Sequence, residues 1–442
     1  MLSNDFGRSM RRLAAIGSAL VFVVGCGIAG QSPSPRVSTA ASQPPQVSSA
    51  PTGAATRSPA TATISPGATA SATAAPTDAP PATPAPTPAG QVVFGNWPLY
   101  IDIDEETGGY PTLEAFTERT GIQVSYQEDI NDNEEFFGVI QPDLAAGNST
   151  GYDIITVTDW LIERMVRLGY LQPLDKSLLP NFTANANDLF TDSWYDPGNQ
   201  YSIPYVGGIV GIAYNPTLTG RPITTFDDLL DPAFAGRVGM FSEMRDTMSL
   251  TLLSMGVVPE EATIEDAQAA HDKLLAPAQA GQFRNFYGND YYDALAAGDL
   301  AVSIAWGGDI SQMRLYDNPD VEFIIPDTGG MFYTDNMAIP INAEHPTDAH
   351  MLMDSWYDLD SAAPLIEYVG YFSPVNGITE RVLEDSAAAR AEGDEEWADQ
   401  LEVIANDVVP NDEQLQNVYT YKILTEDEER QWNDLFNEVV TG

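Results

Sequence analysis

The sequence has little of what several common kinds of site require. Its 442 residues include one cysteine, Cys26, and three histidines. A single cysteine excludes a disulfide within the chain and any zinc cluster built from several thiolates. His345 and His350 are five residues apart, which is not the spacing of one helix face, so a histidine-based metal site is not expected. We predict neither a metal nor a cofactor.

Basic residues are also scarce. Lys and Arg number 19 against 64 Asp and Glu, which gives a formal net charge of -45. The first 91 residues hold five of the basic residues and two of the acidic ones, so residues 92–442 carry a net charge of about −48. Nucleic acid is therefore not an expected partner, because phosphates are bound by clustered Lys and Arg. The same imbalance disfavours an anionic membrane surface and leaves a cationic ligand open.

Familiar catalytic signatures are missing too. The sequence contains no GxSxG, Walker, GxGxxG or HExxH motif. Residues 129–134 begin like a calcium-binding loop, but the sixth position is not glycine and the twelfth, Ile140, is not a carboxylate. We interpret this segment as a loop that caps a helix beginning near Glu134.

The N-terminus is predicted to be a lipoprotein signal peptide, residues 1–25. Three arginines precede an apolar run at residues 13–24, which is the pattern of a secretory signal. The run ends in Val-Val-Gly-Cys26 and resembles a bacterial lipobox, whose cysteine becomes lipidated. The alternative is an ordinary signal peptide with an incidental cysteine. No other segment has about 18 uninterrupted apolar residues, so no further membrane span is expected.

Residues 26–91 are predicted to form the lipidated cysteine and a disordered tether. They consist mostly of Ala, Pro, Ser, Thr and Gly, and residues 31–90 hold 13 of the 32 prolines. Such a segment cannot bury a core and favours polyproline II conformations. We therefore expect an extracytoplasmic domain that is held to a cell membrane by a lipid anchor.

From residue 92 onward the hydrophobic pattern alternates between strands and helices. The first strands are predicted at 92–97, 122–126 and 152–157, and the first helices at 112–120 and 160–168, ended by Gly121 and Gly169. Later strands are predicted at 208–214, 237–241, 300–306, 321–325 and 332–339, with a capped helix at 264–275 and mostly helix from 350 onward. This order predicts an α/β domain with a mostly parallel sheet covered by helices.

Aromatic residues and carboxylates occur together after several predicted strands. These pairs are Trp97 and Tyr100, Asp159 and Trp160, Glu243 and Asp246 after Phe241, Trp306 and Asp309, and Tyr333 and Asp335. Ligands of open α/β sheets bind at the carboxyl ends of strands, aromatic faces attract ammonium groups, and carboxylates pair with them. The structural alternative is that the aromatics are core residues and that Asp159 and Asp309 cap helices.

These residues resemble the polyamine-binding proteins of bacterial spermidine/putrescine ABC importers over essentially residues 92–442. The more specific matches are Asn-Trp-x-x-Tyr at 96–100 and Tyr-Thr-Asp-Asn-Met-Ala-Ile-Pro at 333–340. Further matches are residues 117–124, 152–155, 202–205, 306–309 and 370–371.

The resemblance implies a periplasmic-binding-protein type II fold. In that fold two α/β lobes, each a mixed sheet flanked by helices, are joined by two hinge crossovers and close on the ligand. Carried over to this chain, lobe one is residues 92–206 plus 335–381, and lobe two is residues 207–334 plus 382–442.

The resemblance also implies a ligand site. Its aromatic walls are Trp97, Tyr100, Trp160, Trp306, Tyr333 and Tyr371. Asp335 holds one ammonium group, Glu243 and Asp246 serve the other end of the ligand, Asp309 matches an acidic position of the putrescine-preferring branch, and Thr158 supplies a hydroxyl. The chain departs from the pattern at Leu99, where relatives often carry an acid, and at Gly288, where one relative has Ser and where Asn289 or Asp290 are candidate substitutes. The exact amine stays open.

The leading hypothesis is a monomeric, non-enzymatic binding protein that delivers putrescine or spermidine to the membrane subunits of an ABC permease. Three alternatives stay open at this point. One is a secreted hydrolase that uses paired carboxylates, such as a glycosidase. The second keeps the fold but binds an amino acid, an oligopeptide or another cation. The third is a sensor subunit rather than an importer.

Overall fold

A computed structural model of the chain describes residues 87–104 and 106–442. The predicted signal peptide, the lipidation site Cys26 and the tether as far as residue 86 lie outside the described residues. None of the helices in the described ranges combines the length and the apolar character needed to cross a membrane.

Ten strands and a larger number of helices make up the described part. The strands are β1 (Gln91–Gly95), β2 (Gln123–Gln127), β3 (Ile154–Thr158), β4 (Ser202–Tyr214), β5 (Val238–Phe241), β6 (Phe283–Tyr287), β7 (Val302–Trp306), β8 (Glu322–Ile324), β9 (Gly330–Ala338) and β10 (Val418–Tyr419). The α-helices are α1 (Pro111–Thr120), α2 (Asn133–Ala146), α3 (Asp159–Leu168), α4 (Pro180–Asn185), α5 (Pro216–Thr219), α6 (Met244–Ser254), α7 (Ile264–Gln279), α8 (Tyr291–Ala296), α9 (Gly307–Tyr316), α10 (Pro346–Ser355), α11 (Leu359–Val369), α12 (Ile378–Glu392), α13 (Glu395–Asp407), α14 (Asp412–Leu415) and α15 (Glu426–Thr441). Short 3-10 helices lie at Lys176–Leu178, Asp188–Phe190, Phe226–Leu230, Pro232–Phe234 and Pro259–Glu261.

The strands form one mixed sheet in the order β2-β1-β3-β9-β4-β7-β5-β6, with β10 beside β9 and β8 beside β4. Strands β1, β2 and β3 are parallel to one another, and so are β5, β6 and β7. We call the first set, with α1 to α3, the β3 half. We call the second set, with α6 to α9 and with α15, which packs on α6 and α7, the β5 half.

The long strands β4 and β9 connect the two halves. They pair antiparallel from Ser202 with Ala338 to Val210 with Met331. The last part of β9, from Asp335 to Ala338, also pairs with β3. The last part of β4, from Val210 to Tyr214, pairs with β7. Each long strand therefore passes through both halves, and the carboxyl ends of β1, β3, β5 and β7 face one region between them.

Several helix ends have the local causes that the sequence predicted. Helix α1 stops at Gly121, whose φ of 79° is the left-handed conformation that favours glycine. Helix α2 begins after Asp132, whose carboxylate accepts hydrogen bonds from the N–H groups of Glu134 and Glu135 at 2.8 and 3.1 Å. The interpretation of residues 129–134 as a capping loop is thereby confirmed.

Other elements differ from the sequence prediction. Strand β4 begins at Ser202, six residues before the predicted start, because its first part pairs with β9 across an irregularity between Pro204 and Val206. Helix α6 was not predicted, since ten of its 11 residues are buried and no face of the helix is exposed. The edge strand β6, also not predicted, has no alternation of buried and exposed residues. Helix α12 runs across the predicted lobe limit between residues 381 and 382.

Candidate functional site

One cavity lies where the carboxyl ends of the strands of both halves meet. Its lining residues are Trp97, Pro98, Tyr100, Asn133, Thr158, Glu243, Asp246, Asn289, Trp306, Asp309, Tyr333, Asp335, Tyr371 and Tyr421. The free space inside is about 30 Å³. A water molecule needs about 10–15 Å³ by this measure, so side chains largely fill the cavity and a larger ligand enters only if they or the halves move apart.

The structure brings together ten of the eleven residues predicted for the site. These are Trp97, Tyr100, Thr158, Glu243, Asp246, Trp306, Asp309, Tyr333, Asp335 and Tyr371. They come from the loop after β1, the end of β3, the β5–α6 junction, the β7–α9 junction, β9 and the segment after α11. Their contact with a ligand stays a prediction.

Asp335 is held by two hydroxyl groups. It lies on β9, paired with Thr158 of β3. Its Oδ2 accepts a hydrogen bond from Tyr100 Oη at 2.6 Å, and its Oδ1 accepts one from Thr158 Oγ1 at 2.7 Å. Burial raises the pKa of Asp335 to about 6, against the lowering effect of these two bonds, and the charge of Asp309 adds to the rise. No basic side chain of the described ranges lines the cavity beside this carboxylate.

Asp309 lies in the first turn of α9, three residues after Trp306. Its carboxylate accepts hydrogen bonds from Tyr291 Oη at 2.8 Å and from Tyr371 Oη. The cap residue of α9 is Trp306, so capping does not explain this aspartate. Burial raises the pKa of Asp309 to about 6, although the two tyrosine bonds oppose the rise.

Glu243 and Asp246 stand at the start of α6. Glu243 Oε1 accepts hydrogen bonds from the backbone N–H and the side-chain Nδ2 of Asn133, at 2.8 and 2.6 Å. Asp246 accepts a hydrogen bond from Tyr421 Oη. Burial raises the pKa of both carboxyl groups, and the charge of Asp132 contributes to each rise. The Asn133 contact joins the β3 half to the β5 half.

The aromatic walls are fixed by other aromatic rings. The indole of Trp306 stacks on Phe241 with ring centroids 4.1 Å apart and an angle of 26°. Tyr100 meets Tyr371 edge to face at 4.9 Å. Such pairs add to the energy of burial, so the ring faces are held in place before any ligand binds.

Trp160 does not line the cavity, although it was predicted to form part of its wall. Its ring lies 5.1 Å from the guanidinium carbon of Arg164 and 4.5 Å from that of Arg245. The neighbouring Asp159 accepts hydrogen bonds from the backbone of Trp160 at 2.6 Å and of Thr334 at 3.2 Å. Both residues serve the packing behind the cavity.

Four lining residues were not among the predicted site residues. Pro98 lies between predicted residues, and Asn289 is a candidate substitute for a serine of one relative. Asn133 belongs to the segment read as a helix cap, and Tyr421 reaches Asp246 across 175 residues of sequence. Only Asn289 carried a sequence signal, because the other contacts depend on how distant segments pack.

The structure accounts for both departures from the family pattern. Leu99 has a φ of 56° and a side chain that is partly exposed, so it is absent from the lining while its neighbours Pro98 and Tyr100 are present. At Gly288 a Cβ would lie 2.5 Å from both Asn131 O and Asn131 Nδ2. Any side chain at this position would therefore push the two loops apart.

The charge of the cavity has one sign. Among the described residues that line it, four are carboxylates, six are aromatic, and none is Lys, Arg or His. No group of His, Cys, Asp and Glu suited to a metal ion occurs within the described ranges. The arrangement suits a cation that presents ammonium groups to carboxylates and carbon to aromatic faces.

Known proteins are similar to this chain in sequence and in fold. The family of bacterial extracellular solute-binding proteins matches residues 112–391. The putrescine-binding periplasmic protein SpuD of Pseudomonas aeruginosa is 31% identical over 271 residues, 58% of this chain and 70% of SpuD. The spermidine/putrescine-binding periplasmic protein 1 of Haemophilus influenzae is 28% identical over 260 residues, 59% and 70% of the two chains.

A solved structure of a substrate-binding protein is also similar to this chain. The spermidine/putrescine ABC transporter substrate-binding protein PotD of Streptococcus pneumoniae superposes with a TM-score of 0.60 and is 25% identical, covering 80% of this chain and 99% of its own. The fold class predicted from the sequence, the two-lobed type II fold of periplasmic binding proteins, is confirmed. The resemblance to polyamine-binding proteins is confirmed by the same relatives. Since the family match covers more than half of the chain, this protein belongs to the bacterial extracellular solute-binding proteins.

Proposed function

We propose that this protein captures a polyamine, putrescine or spermidine, between its two lobes and delivers it to the membrane subunits of an ABC importer. One observation carries the proposal: four buried carboxylates and six aromatic rings line one cavity that contains no basic lining residue within the described chain. The names of its relatives support the same ligand class. The protein acts by binding and release, without catalysis.

The proposed ligand matches the cavity in energy. Micromolar affinity requires about −8 kcal/mol. Hydrogen bonds to charged groups contribute about 1.5–3 kcal/mol each, and cation–π contacts roughly 0.5–2 kcal/mol each. A diamine can form several of both kinds, which offsets the cost of lost ligand freedom and of lobe closure.

We assign the roles of the lining residues accordingly. Asp335 pairs with one ammonium group, and Glu243 and Asp246 pair with the other end. Asp309 adds negative charge beside Asp335, and this charge raises the pKa of Asp335. The rings of Trp97, Tyr100, Trp306, Tyr333 and Tyr371 enclose the carbon chain.

The two lobes are proposed to be residues 92–206 plus 335–381 and residues 207–334 plus 382–442. In support, β4 and β9 cross from one half of the sheet to the other where Val206 pairs with Asp335 and Gly207 with Thr334. We propose these strands as the hinge crossovers, around which the lobes close on the ligand.

The remaining proposals concern location. Residues 1–25 are proposed as a signal peptide, Cys26 as the lipidated residue and residues 26–91 as the tether of a monomer outside the cell membrane. Strand β1 already begins at Gln91, and Asp348 accepts hydrogen bonds from the N–H groups of Ala89, Gly90 and Gln91. The last residues of the proposed tether are thus attached to the folded domain.

A thermal-shift panel tests the ligand class. Putrescine or spermidine at 100 times its dissociation constant is expected to stabilise the protein by about 2.7 kcal/mol, seen as a higher melting temperature. Butylamine, with one ammonium group, and 1,4-butanediol, with none, are matched controls of equal carbon length and should give little shift. A shift with an amino acid or a sugar, but with neither polyamine, would point to another ligand and refute the proposal.

Affinity is expected to fall as the solution becomes more acidic. The amines stay protonated between pH 5 and pH 8, whereas Asp309 and Asp335, each with a pKa of about 6, lose their charge below that value. Protonation of each carboxylate should therefore weaken binding about tenfold at pH 5 relative to pH 8. Isothermal titration calorimetry across this range measures the effect. An affinity that is constant from pH 8 to pH 5 would show that these carboxylates do not pair with the ligand.

A further inference from the structure

A largely buried network of four charged side chains lies outside the cavity, with Glu134 the most exposed of them at 32%. Arg164 of α3 and Glu134 of α2 belong to the β3 half, and Arg245 of α6 and Glu429 of α15 belong to the β5 half. Both arginine side chains are 6% exposed, and that of Glu429 is 12% exposed. None of the four lines the cavity.

The two arginines share one carboxylate oxygen. Arg164 binds Glu134 with both terminal nitrogens, at 2.9 and 2.6 Å, and also donates to Glu429 Oε1. Arg245 donates to the same Oε1 at 2.6 Å. Two positive and two negative charges thus balance at a site largely shielded from water. Shielding strengthens such contacts and makes a missing partner costly.

These contacts cross between the halves. Arg164 in one half binds Glu429 in the other, and Arg245 in the second half lies over the ring of Trp160 in the first, at 4.5 Å. Arg167 of α3 adds a weaker contact to the carbonyl oxygen of Leu424, two residues before α15, at 3.4 Å. The network therefore breaks when the halves separate.

The network adjoins the cavity through the chain itself. The network residue Arg245 stands between Glu243 and Asp246 in the sequence, and the network residue Glu134 follows Asn133. Glu243, Asp246 and Asn133 all line the cavity. In the same structure Asn133 and Glu243 are in hydrogen-bond contact across the halves. The network and this contact of the site therefore occur together, on adjacent residues of the chain.

We propose that Arg164, Glu429, Arg245 and Trp160 form an interlobe latch, which holds the lobes closed and sets how slowly the ligand leaves. The inference rests on the proposed function in that it takes the ligand to be held between the lobes. The latch residues act as positioning residues, because they touch other side chains rather than the ligand.

Glu429→Gln tests the latch, since it removes the shared charge and preserves the shape of the side chain. We expect the dissociation rate of the polyamine, measured by stopped-flow fluorescence, to rise at least tenfold while the association rate changes less than threefold. Asp427→Asn is the matched control: it makes the same charge change in the first turn of the same helix, where Asp427 forms an exposed pair with Arg430. Its dissociation rate should stay within twofold of the wild type.

A second measurement does not depend on any ligand. Spin labels on Val139→Cys in α2 and Ile423→Cys, three residues before α15, occupy two exposed positions and report the separation of the lobes in the full chain carrying Cys26→Ser. Without ligand, Glu429→Gln should shift the distance distribution towards longer values and Asp427→Asn should not. Trp160→Phe, a milder change, should shift it in the same direction and decides the question if Glu429→Gln does not fold.

The outcomes separate the two proposals. Wild-type distances together with wild-type dissociation rates in folded Glu429→Gln and Trp160→Phe would overturn the latch. If the wild-type protein binds no polyamine, the proposed function fails, and the label distances alone decide whether the latch exists.

Discussion

Asp335→Asn is expected to weaken putrescine or spermidine binding by about 10- to 150-fold at pH 8, because a hydrogen bond to a charged group contributes about 1.5–3 kcal/mol. The same change should stabilise the ligand-free protein. Burial holds the pKa of Asp335 at about 6, from 3.8, so its ionisation above pH 6 opposes folding by up to roughly 3 kcal/mol. Asparagine removes that charge and keeps a side chain of the same size beside Tyr100 and Thr158.

The sign of the stability effect follows from proton binding. The folded state holds the proton of Asp335 more tightly than the unfolded state does, so this group stabilises the fold below pH 4 relative to pH 8 and the benefit is lost as pH rises through 6. The melting temperature of the Asn variant should therefore exceed that of the wild type at pH 8 and converge with it near pH 4. Calorimetry and thermal denaturation measure the two effects separately.

Asp320→Asn provides the control for Asp335→Asn. Asp320 is exposed and does not line the cavity, and its substitution makes the same change in net charge. It should leave affinity and melting temperature close to the wild type. Equal affinities for wild-type protein and Asp335→Asn would remove Asp335 from the ligand site.

Gly308→Ala should reduce polyamine affinity at least tenfold through shape alone. A Cβ at this position would lie 2.4–2.5 Å from three ring atoms of Tyr371. Gly308 belongs to α9 of the β5 half, whereas Tyr371 meets Tyr100 of the β3 half and donates to Asp309. The methyl group must therefore displace the Tyr371 ring or hold the lobes apart, and overpacking of this kind costs about 1–3 kcal/mol.

Gly138→Ala is the matched control for that substitution. Gly138 also lies in a helix, α2, but nothing stands within 4 Å of the Cβ it would acquire. Alanine there should stabilise the protein by about 0.5–1 kcal/mol and leave binding unchanged. Wild-type affinity in Gly308→Ala, measured by titration calorimetry, would mean that the Tyr371 ring does not enclose the ligand.

The sequence predicted the fold wherever local signals act. The glycines at 121 and 169 end helices in the left-handed conformation, and alternating strands and helices gave the correct class. Helix α6 and strand β6 were not predicted because their conformations depend on tertiary packing. Helix α6 is buried on every side, and β6 lies at an edge of the sheet. Periodicity cannot detect an element that has no polar face or no regular burial.

The sequence predicted those residues of the site that lie at the carboxyl ends of strands. Carboxyl ends of strands carry Trp97, Thr158, Trp306 and their neighbours to one place by topology alone. Trp160 also follows a strand, yet its ring packs against two arginines, and Tyr421 enters from a distant segment. Those positions depend on tertiary packing, which no local pattern encodes.

The overall charge of the protein did not identify the ligand. Among the described residues four carboxylates line the cavity, and the other acidic residues of the sequence give a long-range field that speeds the capture of cations and weakens with salt. The proposal therefore depends on the few carboxylates that lie beside aromatic rings. A charge change elsewhere should alter association rates more than affinity.

Titration calorimetry of the wild-type protein with putrescine and with spermidine at pH 8 tests the central proposal most directly. We expect one ligand to bind per chain with micromolar or tighter affinity, and butylamine to bind far more weakly. Absence of binding by both polyamines, in protein shown to be folded by its circular dichroism, would contradict the proposal that this cavity is a polyamine site.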